Sequence, residues 1–289
     1  MSNIHLYIEK NLELENFNFE NDANYNDIKN YYNNAKADAI HCYQFIKEHL
    51  HENKKILEVG GGVHLLTSFL NQEYDVTSVE PGGFTSYTNN LRNKILSKNN
   101  LKVHTTALEN FNTDDKFDLI FSMNVLEHTD DIETHLRSCI NLLKDENSLL
   151  LIQCPNYTFP FESHFYKWFI PFMPNFTFKY LRRKNLIKEL GENNYSNIFN
   201  SLNFNCTYFK IKNLKLPIVF HHPLKNIFDR MENDVVFKNR ICQNSIINAC
   251  YKLINLFKIK GLLTFIYPKF LCPYLIMEIK KNNTSSYPS

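Results

Sequence analysis

The chain has no Cys-x-x-Cys pair. Its seven cysteines, at 42, 139, 154, 206, 242, 250 and 272, are scattered and odd in number. That argues against a disulfide framework or a zinc module and points to a reducing cytoplasm. Charge of one sign is also lacking. The formal net charge is +2 over 289 residues, so nothing marks a nucleic-acid binder by charge alone. Met1 to Lys10 shows no basic region ahead of an apolar core, so no secretory signal is expected there. No long unbroken apolar run exists either. The longest, 261–277, is interrupted by Pro268, Lys269 and Pro273, too broken for a transmembrane helix. No internal repeat is visible. A chain of this length can bury a sizeable core in one large domain, or in one domain with a substantial insertion.

What is present begins at Lys55-Ile-Leu-Glu58-Val-Gly60-Gly61-Gly62, with Val76-Thr-Ser-Val-Glu80 placing an acid eighteen residues past Gly62. This reads as a buried strand, a turn without side chains in the way, a helix, and a second strand ending in a carboxylate. Such a unit cradles an adenosine. The glycines admit a ligand to the backbone, and two carboxylate oxygens can accept from two vicinal ribose hydroxyls. A dinucleotide fingerprint wants Gly-x-Gly-x-x-Gly; counted from Gly60 its last position is Leu65, which disfavours NAD.

Glu58 two residues before Gly60, with Gly62 following, resembles motif I of the class I S-adenosylmethionine-dependent methyltransferases. The resemblance implies S-adenosyl-L-methionine as cofactor, bound by Glu58, Gly60, Gly61, Gly62, Glu80, Pro81 and Asn124, with Ala107 and Leu108 flanking adenine. The chain departs from the family at His64, where a further glycine is usual. Ser122-Met-Asn124-Val-Leu-Glu127-His128 resembles the Asn-x-Leu-Glu-His signature of small-molecule methyltransferases. A metal-binding branch of the family carries glutamate where this chain has Asn124, so no metal is expected. Glu127 and His128 suit either capping of the next helix or a catalytic role.

The periodicity predicts an α/β fold. The alternation of strands and helices specifies a doubly wound sheet with right-handed crossovers, and the resemblance implies that this sheet is seven-stranded and mostly parallel, with an α-helical insertion near the C-terminus. Residues 1–50 form an N-terminal segment and helix: 1–26 a partly ordered lead-in, then an amphipathic helix with Ile28, Tyr32, Ala35, Ala39, Tyr43, Ile46 and Leu50 on one face. The methyltransferase domain would fill 51–289. Its strands are expected at 55–59, 76–80, 102–107, 117–122 and 148–154. A helix with Leu65, Leu66, Phe69 and Leu70 on its buried face follows the first strand; others follow at 84–96 and from Asp130, with Asp130 and Glu133 as a helix start. Beyond Cys154 the alternation stops. A helix is expected near 182–190, a strand near 205–211, a helical insertion over 213–270 and a terminal antiparallel strand at Tyr274 to Lys280.

Cys154-Pro-Asn156-Tyr157-Thr-Phe-Pro160-Phe-Glu162-Ser-His164-Phe165 directly follows the fifth strand, at the edge where open α/β sheets bind ligands. Its Pro-Asn-Tyr start and Glu-x-His-Phe finish resemble a subgroup associated with bacterial surface-polysaccharide (capsule) biosynthesis. Glu162 and His164, two apart on an extended segment, can face one side and form an oriented base; His128 is next in line. The aromatic segment within 155–180 suits a lid over the acceptor, a homodimer contact or a surface dipping into a membrane interface.

The function these features imply is methyl transfer to an oxygen of a small-molecule or carbohydrate-type acceptor, in the cytoplasm. An alternative acceptor is a phosphate-like (phosphoramidate) oxygen on a nucleotide-linked precursor. A non-catalytic cofactor-binding subunit is the alternative of another class. No nucleic-acid partner is expected, since an Asp/Asn-Pro-Pro-Tyr motif and a strong basic tract are both missing.

Overall fold

The computed structural model describes residues 3–20, 22–51, 54–82, 85–162, 167–170, 173–184, 199–242 and 245–281. Its elements in chain order begin with α1 (Ile4–Asn11), α2 (Tyr25–Ile46), β1 (Lys55–Val59), α3 (Leu65–Leu70), β2 (Asp75–Val79), α4 (Ser86–Lys98), β3 (Lys102–His104), β4 (Leu119–Met123), α5 (Ile132–Leu142) and β5 (Leu149–Pro155). They continue with β6 (Phe161–Glu162), β7 (Lys167–Trp168), α6 (Pro174–Arg183), α7 (Tyr208–Lys212), β8 (Ile218–His221), α8 (Leu224–Asn233), α9 (Val235–Cys242), α10 (Ser245–Leu256), α11 (Lys260–Ile266) and β9 (Tyr274–Lys280). Seven strands form one sheet in the order β3-β2-β1-β4-β5-β9-β8, while β6 and β7 pair separately. β1 runs parallel to β2 and β4, and β2 parallel to β3, whereas β8 and β9 are antiparallel. This is the doubly wound sheet with a terminal antiparallel strand that the sequence implies.

The chain divides into two compact units. The first comprises Met1–Met123, Arg137–Leu151 and Lys280–Ser289. Its strands β1 and β4 are buried almost throughout, as expected where helices cover both faces of a parallel sheet. The lead-in is a correction to the sequence reading. Ile4, Ile8 and Leu12 recur every four residues along α1 and its C-cap. With Leu14, Phe17 and Phe19 they are buried in the same apolar cluster as Ile28, Phe69 and Leu91. Tyr7 packs edge-on against Phe69, and Lys94 lies 3.8 Å from the centroid of the Phe19 ring. With His5, Glu9 and Lys10 exposed and Ile4 and Ile8 buried, α1 is an ordinary amphipathic helix.

The second unit comprises Asn124–Leu136 and Ile152–Ile279. Residues 205–211, expected as a strand, instead contribute to α7. Thr207 caps it, its hydroxyl accepting from the Lys210 N–H at 3.3 Å. The strand that pairs with β9 lies later, at Ile218–His221. Helices α8 to α11 fall between those two strands. Of the helix expected near 182–190 only 182–184 are described, and they form the end of an earlier helix, α6, which starts at Pro174 inside the aromatic segment; residues 185–198 lie outside the described residues. Asp131, rather than Asp130, caps α5. Its carboxylate accepts from the Glu133 and Thr134 N–H groups and from the Thr134 hydroxyl.

Candidate active site

The loop after β1 is set by backbone geometry. Gly62 has φ +55° and His64 φ +65°, a left-handed conformation that glycine adopts freely and that few other residues tolerate. The Gly60 N–H donates to the Val79 carbonyl at 2.9 Å, tying the loop to the end of β2. A Cβ on Gly61 would fall 2.4 Å from Ser78 Oγ and 2.5 Å from His64 Nδ1, so only glycine fits there. On Gly62 a Cβ would meet nothing within 4 Å. The loop is therefore closed on its Gly61 side and open on its Gly62 side.

Glu80 closes this structure from the tip of β2. Its Oε2 accepts from the Gly62 N–H at 3.0 Å and its Oε1 from the Gly82 N–H at 3.1 Å. One carboxylate thus spans both glycine turns, with the exposed Pro81 between them. Burial raises the Glu80 carboxyl, while the two backbone donors and Arg92 pull the other way.

Behind the loop runs a buried relay. Arg92 Nε donates to His64 Nε2 at 3.2 Å, and His64 Nδ1 lies 3.2 Å from Thr67 Oγ1. The Thr67 hydroxyl donates to Glu58 Oε2. Arginine can only donate, so the network assigns the ring proton to Nδ1 and leaves the imidazole neutral. Burial and the adjacent guanidinium push His64 down to about 3, in agreement with a neutral ring. Glu58 is pushed up to about 7, chiefly by burial, with the Thr67 hydrogen bond opposing. His64 is fully buried, so it serves the loop from behind. The departure from the family's glycine is accommodated by a left-handed histidine wired inward.

Thr67 and Arg92 escape the sequence reading. A signal existed for Arg92, which adjoins Leu91 on the inward face of α4; there it also bonds Thr105 Oγ1 at 3.1 Å. Tyr31 of α2 is a third. Its hydroxyl is pushed up to about 12 by burial, then by the charges of Glu80 and Asp38. Ala107 and Leu108 lie past β3 where a short turn starts, Leu108 buried and the Ala107 carbonyl accepting from the Asn110 N–H at 3.0 Å. Ser78 Oγ and Ser122 Oγ are buried with no hydrogen-bond partner among the described residues.

In the second unit, Asn124 follows β4 with φ +55°, its N–H donating to the Gln153 carbonyl at 2.8 Å. Its Oδ1 is buried without a partner among the described residues. Glu127 is fully buried, and His128 is exposed with Nδ1 3.2 Å from Ser201 Oγ. The His128 Nε2 lies 4.0 Å from Glu127 Oε1. Glu162 is fully buried in β6 and accepts from the Tyr157 hydroxyl at 3.2 Å. Burial and Glu162 together raise that phenol far above its ordinary value. His164 lies outside the described residues. Asn156 is structural. Its Nδ2 donates to the Phe270 and Cys272 carbonyls, and its Oδ1 accepts from the Thr158 and Tyr208 N–H groups. Around Tyr157, the rings of Phe169, Phe178, Phe199 and Phe204 pack with centroids 4.8–6.1 Å apart.

A family model described as a methyltransferase domain matches residues 31–199, more than half of the chain. The chain belongs to that family. It is also similar to two uncharacterized proteins of Mycobacterium tuberculosis, MT1557 of strain CDC 1551 / Oshkosh and Rv1509 of strain ATCC 25618 / H37Rv. Each is 32% identical over 200 residues, which covers 65% of this chain and 66% of the relative. The match thus spans just under two thirds of those relatives' length. Among solved structures, a SAM-dependent methyltransferase of Thermotoga maritima aligns at 16% identity and a TM-score of 0.41, covering 65% of this chain and 73% of that one. A second, from Clostridium acetobutylicum, aligns at 17% identity and 0.33, covering 53% and 56%. Likenesses this distant decide nothing about the reaction.

Proposed function

We propose that this protein transfers a methyl group from S-adenosyl-L-methionine to an oxygen of a small-molecule or carbohydrate-type acceptor. One observation carries the cofactor half of this reading: a glycine loop open at Gly62 and bridged to Gly82 by the Glu80 carboxylate. Each oxygen of that carboxylate keeps a lone pair beyond its backbone bond, enough to accept from vicinal ribose hydroxyls. The residues present therefore suit an adenosine. Glu80 would hold the ribose, Gly60, Gly62 and Pro81 would let it approach, Gly61 would keep the turn packed against Ser78 and His64 behind it, and Ala107 and Leu108 would flank the base. Glu58 acts behind the loop through Thr67 and His64, and Asn124 offers an amide oxygen. When bound, the cofactor supplies an electrophilic methyl on a sulfonium. No metal is required for that chemistry, and Asn124 puts a neutral amide where the metal-binding branch of the family carries an anionic glutamate.

The oxygen acceptor, and its place in bacterial surface-polysaccharide biosynthesis, rest on the segment from Cys154 to Phe165. An alcohol is a poor nucleophile near neutral pH, so a base must take its proton as the new bond forms. His164 is that base, with Glu162 stabilising the charged ring and His128 the second candidate. His164→Asn should leave cofactor affinity unchanged and lower turnover by about 10²–10⁴-fold, the range of general-base catalysis. Labelled methyl transfer into sugar and nucleotide-linked acceptors measures it. Normal turnover by the variant would remove His164 from the reaction and favour an acceptor that is already anionic, such as a phosphoramidate oxygen.

A further inference from the structure

From Val235 to Met277 the chain carries Lys238, Arg240, Lys252, Lys258, Lys260 and Lys269 and no aspartate or glutamate, although it has 30 acids overall. Two helices of this stretch, α10 and α11, bury none of their residues. A helix of a globular domain ordinarily gives an apolar face to a core. Here the apolar faces turn outward. Leu253, Leu256 and Phe257 recur at steps of three and four, as do Leu262, Phe265 and Ile266, so each set lies on one side of its helix. Leu256 is 72% exposed, Phe257 65% and Phe265 88%. Lys252 and Lys258 are exposed beside them. Lys260 ion-pairs with Glu232 and lies 5.6 Å from the centroid of the Tyr251 ring, fixing the start of α11.

We infer that α10 and α11 dock on the surface of an anionic lipid bilayer. Charge complementarity selects this occupant. An isologous second copy would bring the same acid-free, cationic stretch against itself, whereas anionic headgroups neutralise it while leucine and phenylalanine enter the acyl boundary. The lysine stems can lie along the apolar layer with their ammonium groups among the headgroups. At 12 and 7 residues the helices lie in the interface. Among the described residues no helix is long and apolar enough to cross a membrane. A second stretch has the same chemistry. Residues 163–184 hold five lysines and arginines and no acid, and Phe176 and Tyr180 of α6 are exposed.

Co-sedimentation of the full chain with phosphatidylcholine vesicles, with and without phosphatidylglycerol, tests this. Binding should require phosphatidylglycerol and weaken as salt rises. Phe257→Ser and Phe265→Ser should each lower the partition coefficient roughly tenfold, from the loss of a buried phenyl group. Lys252→Gln and Lys258→Gln should each lower it roughly fivefold. All four side chains are exposed or largely so, and circular dichroism verifies the fold. Absence of binding, or phenylalanine variants that bind like the original, overturns the inference. So does a dimer in sedimentation velocity that the same substitutions dissolve without any vesicle binding, since a second copy would then cover this face.

Discussion

Glu58 and Glu80 in the first unit and Glu162 in the second are all buried carboxylates, held by different means. Glu80 is gripped by backbone N–H groups of Gly62 and Gly82, and Glu58 connects through Thr67 and His64 to Arg92. Those partners lie within 35 residues of one another, on a strand, a turn and two helices that follow in order. Glu162 accepts from a tyrosine hydroxyl, in a segment whose neighbour Asn156 is anchored to carbonyls 114 and 116 residues away. Local backbone geometry builds the first region and long-range side-chain bonding the second. The first leaves a fingerprint in the sequence and the second does not.

Breaking the long-range anchor should have the largest effect. Asn156→Ala removes two donors from buried carbonyls and an acceptor from two backbone N–H groups, at about 1–3 kcal/mol per stranded group before water enters. A loss of about 3–5 kcal/mol in urea unfolding is expected. A loss below about 1 kcal/mol would mean that the segment after β5 is held by its aromatic cluster instead.

The next effect concerns pH. Glu58 is raised to about 7 in the folded state from 4.5, so the folded chain binds the extra proton between those values and stability falls as pH rises through that window. His64 is lowered to about 3 from 6.5, so its contribution is present above 6.5 and is lost as pH falls towards 3. Between 4.5 and 6.5 the two slopes oppose each other. Glu58→Gln removes the first and should leave stability rising with pH there, a change of slope worth about 2–4 kcal/mol across the window. Urea midpoints at several pH values read this directly. Parallel curves for the two proteins would contradict the assigned charge states.

The loop itself offers a smaller contrast. Gly61→Ala puts a Cβ against Ser78 and the His64 ring and should cost about 1–3 kcal/mol. Gly62→Asn enters open space with a residue that tolerates left-handed φ, and should cost less than about 1 kcal/mol. Equal unfolding free energies for the two variants would remove the distinction between the closed and open sides.

Legibility in the sequence followed the same division. The bounds of β1 and β9 coincide with expectation, since each is a short apolar run between clear breakers; Leu65, Leu66, Phe69 and Leu70 are buried in α3, and the glycine turn and Glu80 stand where spacing placed them. The relay behind the turn was legible only in part: Arg92 adjoins inward-facing Leu91 on α4, whereas Thr67 is an ordinary helix residue until the fold brings it onto His64. The N-terminal helix is short, eight residues, and the asparagine- and acid-rich stretch that follows it hides its pattern. At 205–211 the tyrosine and phenylalanine suggested a strand. The Thr207 cap, together with the tilted packing of Tyr208 against Phe220 with centroids 4.7 Å apart, makes it a helix instead. No local pattern announces a partner in a later strand.

In the proposed function the Glu80 carboxylate, fixed by the two glycine turns, holds the ribose of S-adenosyl-L-methionine. Calorimetric titration of that ligand into the protein and into Glu80→Ala tests it most directly. A charge-assisted hydrogen bond contributes about 1.5–3 kcal/mol, so the variant should bind at least roughly tenfold more weakly while retaining its circular dichroism spectrum. An unchanged Kd in a folded Glu80→Ala protein would contradict it.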